Sequence, residues 1–126
     1  MKHAASKRQT GNAGEDAVCA YLEGQGAEIL CRNFTVRGGE IDILARLGGM
    51  LLIVEVKTRR PGALVSGAAA VDAKKQRCII RAAEQYLLRN PCDLQPRFDV
   101  AEVEYSGSFV RHIGYIANAF DATGYL

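Results

Sequence analysis

Apolar positions in this chain recur with two different periods, and the switches between them mark its elements. In residues 12–24, Val18, Cys19 and Leu22 form a stripe at helical spacing, flanked by Ala17 and Tyr21 and ended by Gly24 and Gly26. Residues 29–36 read as a strand, and Arg37-Gly38-Gly39 as a turn. Residues 40–47 and 50–57 are two more strands joined by Gly48-Gly49, a dipeptide suited to a two-residue hairpin. A loop over 58–67 follows. Asp72 is then placed to cap a second helix that runs to Asn90 and stops before Pro91, with Cys78, Ile79, Ala82, Ala83, Tyr86 and Leu87 on its apolar stripe. Strands over 97–105 and 109–116 complete the pattern, and the last ten residues form a short tail. The predicted order is α-β-β-β-α-β-β: a single small α/β domain over residues 12–126, with a mixed central sheet flanked by helices. Residues 1–11 lack periodicity and are expected to be a flexible arm.

The Gly-Gly hairpin fixes a register. If Leu47 faces Met50, Asp42 faces Glu55 and Glu40 faces Lys57. Side chains alternate between faces, so Ile41, Ile43, Ala45, Leu47, Met50, Leu52, Val54 and Val56 make one wholly apolar face. The other face is apolar in the middle and charged at its open end. Directly opposed residues have Cβ atoms ~4.5–5.5 Å apart. Two carboxylates at that spacing need a cation, a shared proton, or rotamers that splay them into water. Lys57 supplies part of that compensation and a divalent metal would supply more; oxygen-only ligands suit Mg²⁺ or Mn²⁺. The plainer alternative is a surface lattice in which Lys57 pairs with Glu40 across the strands and with Glu55 along its own. Three features weigh against it. The charges gather at one end of a buried-looking hairpin, a basic loop starts at that end, and Glu15 brings a further carboxylate from the first helix. Glu15 also has a plainer reading, an acid at the positive end of a helix. Glu40 reads as a partner of Lys57 or a support for the turn.

Composition changes this picture in two respects. The 126 residues are 48% hydrophobic, enough for one domain with a real core. The net charge of +2 is unevenly spread: residues 57–81 carry seven basic residues and one acid, leaving −4 elsewhere. Such a segment suits a polyanion, or equally a solvated helix face. The cysteines at 19, 31, 78 and 92 have no metal-ligand spacing. Cys19 and Cys78 read as small buried hydrophobes, and reduced thiols imply a cytoplasmic protein. The N-terminus has no apolar core of a secretory signal, and no apolar run approaches the ~20 residues of a membrane span. His3 and His112 carry no evident chemistry.

The ordered set Gly39-Glu40-Ile41-Asp42 followed by Val54-Glu55-Val56-Lys57-Thr58-Arg59 resembles the restriction-endonuclease-like nuclease superfamily, built on an acid…acid-x-Lys core. More closely, the chain resembles the bacterial YraN family, related in fold to archaeal Holliday-junction resolvases. The likeness starts at Gly14-Glu15 and Tyr21-Leu22. It continues through Arg32-Asn33-Phe34 to Ala70-Val71, Lys75-Gln76, Tyr86-Leu87, Arg97-Phe98-Asp99-Val100 and Asn118-Ala119-Phe120. The resemblance implies Asp42 and Glu55 as metal carboxylates, the Val56 carbonyl as a further ligand, Lys57 as catalytic lysine, and Glu15 as the first-helix acid. Gln76 matches a position where related nucleases have a polar helper; it also suits the edge of the apolar stripe. The stretch 65–70 is small and apolar where the family tends to have an aromatic-glycine pair and an acid.

The implied activity is Mg²⁺- or Mn²⁺-dependent phosphodiester hydrolysis of nucleic acid, with DNA ahead of RNA and shape or ends recognised instead of sequence. A metal between the two acids would polarise the phosphoryl oxygen. Arg59, Arg60, Lys74, Lys75 and Arg77 would contact phosphates. Related resolvases work as dimers, so the resemblance allows a homodimer; it implies no membrane partner. Two alternatives stay open: a catalytically silent nucleic-acid-binding module, and an adaptor whose basic strip meets an acidic protein.

Overall fold

The computed structural model describes residues 7–59 and 71–122. Its elements are α1 (Lys7–Gly24), β1 (Glu28–Val36), β2 (Gly39–Leu47), β3 (Met50–Arg59), α2 (Ala73–Arg89), β4 (Gln95–Ser106) and β5 (Phe109–Phe120). This is the α-β-β-β-α-β-β order expected. The sheet order is β1-β2-β3-β4-β5. Neighbours are antiparallel except β3 and β4, which run parallel, with α2 in the crossover between them. Consecutive antiparallel strands need only short turns, whereas a parallel pair requires a long connection.

The helices sort the sheet's alternating side chains into two cores. Val18, Cys19 and Leu22 of α1 pack with Ile43, Ala45, Leu52, Val54, Ala101 and Val103. Ile79, Ile80, Ala82 and Ala83 of α2 pack with Leu44, Leu51, Ile53, Phe98 and Val100. Burying each large aliphatic side chain stabilises by ~1.5–3 kcal/mol, so both faces of the central strands contribute. The sequence showed one face of the hairpin as wholly apolar; the centre of both faces is in fact buried.

Several boundaries differ from expectation. α1 begins at Lys7, inside the segment read as an arm. Lys7, Arg8 and Gln9 are good helix formers that present no apolar period, so periodicity alone misses them. β3 continues through Thr58 and Arg59, while the rest of the expected loop lies outside the described residues. β5 reaches Phe120, into the expected tail, because a register shift between Phe98 and Val100 lets it continue, with Asn118 at φ 54°. Cys19 is buried, Cys78 only partly so, and all four cysteines are free. Among the described residues no helix is long and apolar enough to cross a membrane.

Candidate functional site

The β2–β3 ladder has the predicted register from Leu47–Met50 to Ile43–Val54, with Gly48 in the turn at φ 59°. The ladder stops there. Ile41 leaves the α1 face and joins the α2-side core with 1% exposure. Asp42 then reaches across to β3, where its Oδ2 accepts a hydrogen bond from the Val56 N–H at 2.8 Å. The side chain thus satisfies a strand donor beyond the last paired residues. Burial, and next the neighbouring Glu55 carboxylate, push Asp42 up to about 7; the Val56 N–H and the Lys75 ammonium pull the other way.

Glu55 is 5% exposed, one of two buried charged residues among those described. Its Oε2 lies 3.4 Å from the Lys57 ammonium and 3.7 Å from that of Lys75 on α2. Its Oε1 is fully buried and has no hydrogen-bond partner among the described residues. An orphaned carboxylate oxygen inside a protein is costly unless something cationic or protonated meets it. The expected Glu40–Lys57 pair does not form: among the described residues Glu40 has Lys75 as its ion-pair partner, at 3.9 Å. The divergence of β2 from β3 removes the cross-strand geometry that pair needs.

Glu15 stands well inside α1, more than a turn from its start, so the helix-end reading fails. Gly14 lets α1 approach β4, since a Cβ there would come within 2.8 Å of the Tyr105 hydroxyl. Glu15 is raised above the usual carboxylate range by burial and then by the field of Asp42, while Asn33 and Arg32 oppose the shift. Arg32 holds it at 3.4 Å. Glu15 is therefore close enough to Asp42 to interact electrostatically, yet already has a basic partner.

Gln76 donates its side-chain amide to the Val71 carbonyl at 2.9 Å, beside the Asp72 cap, whose Oδ1 accepts from the Lys75 N–H at 2.8 Å. Arg59 is partly buried against Glu102 at 3.3 Å, whereas Lys74 and Arg77 are exposed on α2. Arg60 lies outside the described residues. Among the described residues no group of three or more His, Cys, Asp and Glu side chains gathers as a metal cage. The convergent set is two carboxylates, the Val56 backbone and two lysines. The all-oxygen donors and the orphaned Glu55 oxygen suit a hard divalent cation held partly by water and phosphate.

Two features escaped the sequence reading. In the sequence Lys75 suggests only a phosphate contact, because nothing in its local spacing places it over Glu55. Asp99 shows no role in the sequence. It is completely buried, held by Arg97 at 2.9 and 3.0 Å, by the Tyr115 hydroxyl, and by the Asn118 N–H at 2.9 Å. Burial, with Asp99 next, raises the Tyr115 phenol. This network ties the irregular end of β5 to β4. The signal available was an acid among apolar residues in a strand, with a phenol in the strand that follows.

Fold and site together define a small α/β domain with an acid–acid–lysine cluster where two central strands part. Residues 14–103 match the family described as "Uncharacterised protein family UPF0102". The chain is 44% identical over 116 residues to a UPF0102 protein of Symbiobacterium thermophilum, covering 91% of this chain and 98% of that one. It is 46% identical over 116 residues to one of Syntrophotalea carbinolica, covering 91% and 94%. The chain belongs to the UPF0102 family, the YraN family of the resemblance above.

Proposed function

We propose that this domain is a Mg²⁺- or Mn²⁺-dependent nuclease acting on DNA in preference to RNA, selected by branch or end structure. The observation that carries the reading is Glu55: a buried carboxylate with one oxygen unmatched, beside Asp42 and between two ammonium groups. Asp42, Glu55 and the Val56 carbonyl would hold the cation, which supplies Lewis-acid neutralisation of the phosphoryl oxygen when bound. Lys57 is a compact charge on a flexible stem, suited to orienting the attacking water and offsetting negative charge in the transition state. Glu15 adds a carboxylate near Asp42, and Gln76 holds the start of α2. Lys74, Arg77, Arg59 and Arg60 would meet flanking phosphates, giving salt-dependent and largely sequence-independent binding.

The test is purified protein on branched, flapped, nicked and single-stranded DNA and on RNA, with Mn²⁺ and with chelator. Asp42→Asn and Glu55→Gln should each lower cutting by about 10³-fold, the worth of several kcal/mol of charge stabilisation, while the chain stays folded. A double variant that cuts as well as wild type would overturn the assignment. One observation favours a silent binding module instead: the two lysines already neutralise Glu55, and the nearby Glu15 is held by Arg32. That reading expects nucleic-acid binding without measurable Mn²⁺ affinity.

A further inference from the structure

Glu55 Oε2 has two ammonium neighbours, and they are held in different ways. Lys57 shares its strand with Glu55 and moves with it. Lys75 is delivered by the first turn of α2. That turn is fixed by the Asp72 cap and by the close approach of α2 to the β1–β2 turn, where a Cβ on Gly39 would run into the Cys78 carbonyl. Lys75 lies 3.7 Å from Glu55 and 3.9 Å from Glu40, both beyond hydrogen-bond range. It is held there by the field of two acids, not by a directed bond. It also lines a cleft of about 380 Å³ between the β1–β2 turn and α2, with Thr35, Gly38, Gly39, Glu40 and Cys78. Its side chain is 31% exposed. Lys75 therefore stands between the acid pair and an open cleft, on a four-carbon stem that can serve either.

We propose that Lys75 exchanges partners: it is the counterion of Glu55 in the cation-free protein and binds a neighbouring phosphate of the nucleic-acid strand in the cleft once a divalent cation occupies the acid pair. The inference rests on the reading of that pair as a cation site. An ammonium and a divalent cation repel one another when both neutralise the same carboxylates. Lys75 can relieve that repulsion by swinging away, and the cleft beside it is where an anion would receive it. Lys75 thereby links cation loading to strand binding.

The experiment titrates Mn²⁺ calorimetrically into the full chain as wild type, Lys75→Met, Lys75→Gln and Arg46→Met. The last removes one charge from the exposed pair with Glu28 at the hairpin end of β2. The Lys75 variants should bind Mn²⁺ about three- to tenfold tighter, and Arg46→Met should match wild type. A phosphorothioate-protected single strand should bind the Lys75 variants about three- to tenfold more weakly with Mn²⁺ present, with little loss in its absence. Unchanged or weaker Mn²⁺ binding by folded Lys75 variants overturns the exchange, as does an equal loss of strand affinity with and without Mn²⁺. If wild type itself takes up no Mn²⁺, the cation-site reading falls and the exchange falls with it. If wild type binds Mn²⁺ and the Lys75 variants match it, only the exchange falls.

Discussion

Asp42 illustrates how a single side chain can serve the fold and burden it at once. Its Oδ2 meets the Val56 N–H where the ladder stops, yet burial beside Glu55 disfavours its charge. Its proton is held more tightly in the folded chain than in the unfolded one. Between the ordinary value of 3.8 and about 7 the native state keeps a proton that the unfolded chain has released, so stability falls as pH rises through that window and levels off above it. Asp42→Asn keeps an acceptor for Val56 without the charge. It should raise unfolding stability at pH 8 by on the order of 1–3 kcal/mol and remove this part of the pH slope. Denaturant midpoints of both proteins from pH 4 to pH 8 check it; a variant no more stable at pH 8 than wild type would contradict the account. The identity of Asp42 and its neighbour Glu55 was legible from strand period and hairpin register. The bond to Val56 was not, because the register arithmetic assumes a ladder that continues. It ends instead at Ile43–Val54, three residues short of Glu40–Lys57, where Ile41 packs toward α2.

At the scale of elements, the site is a meeting of β2, β3 and the start of α2. The hairpin announces itself in sequence through alternation and Gly48-Gly49, and α2 through the Asp72 cap and its apolar stripe. What sequence could not supply is the rotation and depth at which α2 sits. That is set by contact between backbone at Gly39 and the Cys78 carbonyl, one turn beyond Lys75. A glycine in a turn looks like turn chemistry, and its second role appears only once the helix is in place. Gly39→Ala should therefore push α2 away from β2. The expected cost is ~1–3 kcal/mol of stability, as for other overpacking, and Lys75 should be carried away from Glu55. Thermal melts read the first effect. The second predicts that Gly39→Ala shifts Mn²⁺ affinity in the same direction as Lys75→Met. A stable variant with wild-type affinity would show that α2 tolerates the methyl group.

For the whole molecule, the informative feature is the one parallel pairing in an otherwise antiparallel sheet. Strands β1 to β3 form a meander whose partners are near in sequence. By contrast, β3 meets β4 through pairs such as Met50 with Gln95 and Lys57 with Glu102. Local pairings close cheaply, while distant ones must first meet the entropy of closing a long loop. The meander should gain protection early in folding and the β3–β4 pairing late, which pulsed hydrogen exchange can resolve amide by amide; simultaneous protection of both would contradict it. During the interval the hairpin already presents Asp42, Glu55 and Lys57, but α2 has not delivered Lys75. The order of assembly thus leaves a nascent chain briefly holding its carboxylates against one ammonium instead of two. If the acid pair is the proposed cation site, a divalent ion present then would meet less competition than in the finished protein, and by linkage would resist the arrival of Lys75 until that side chain turns to the cleft.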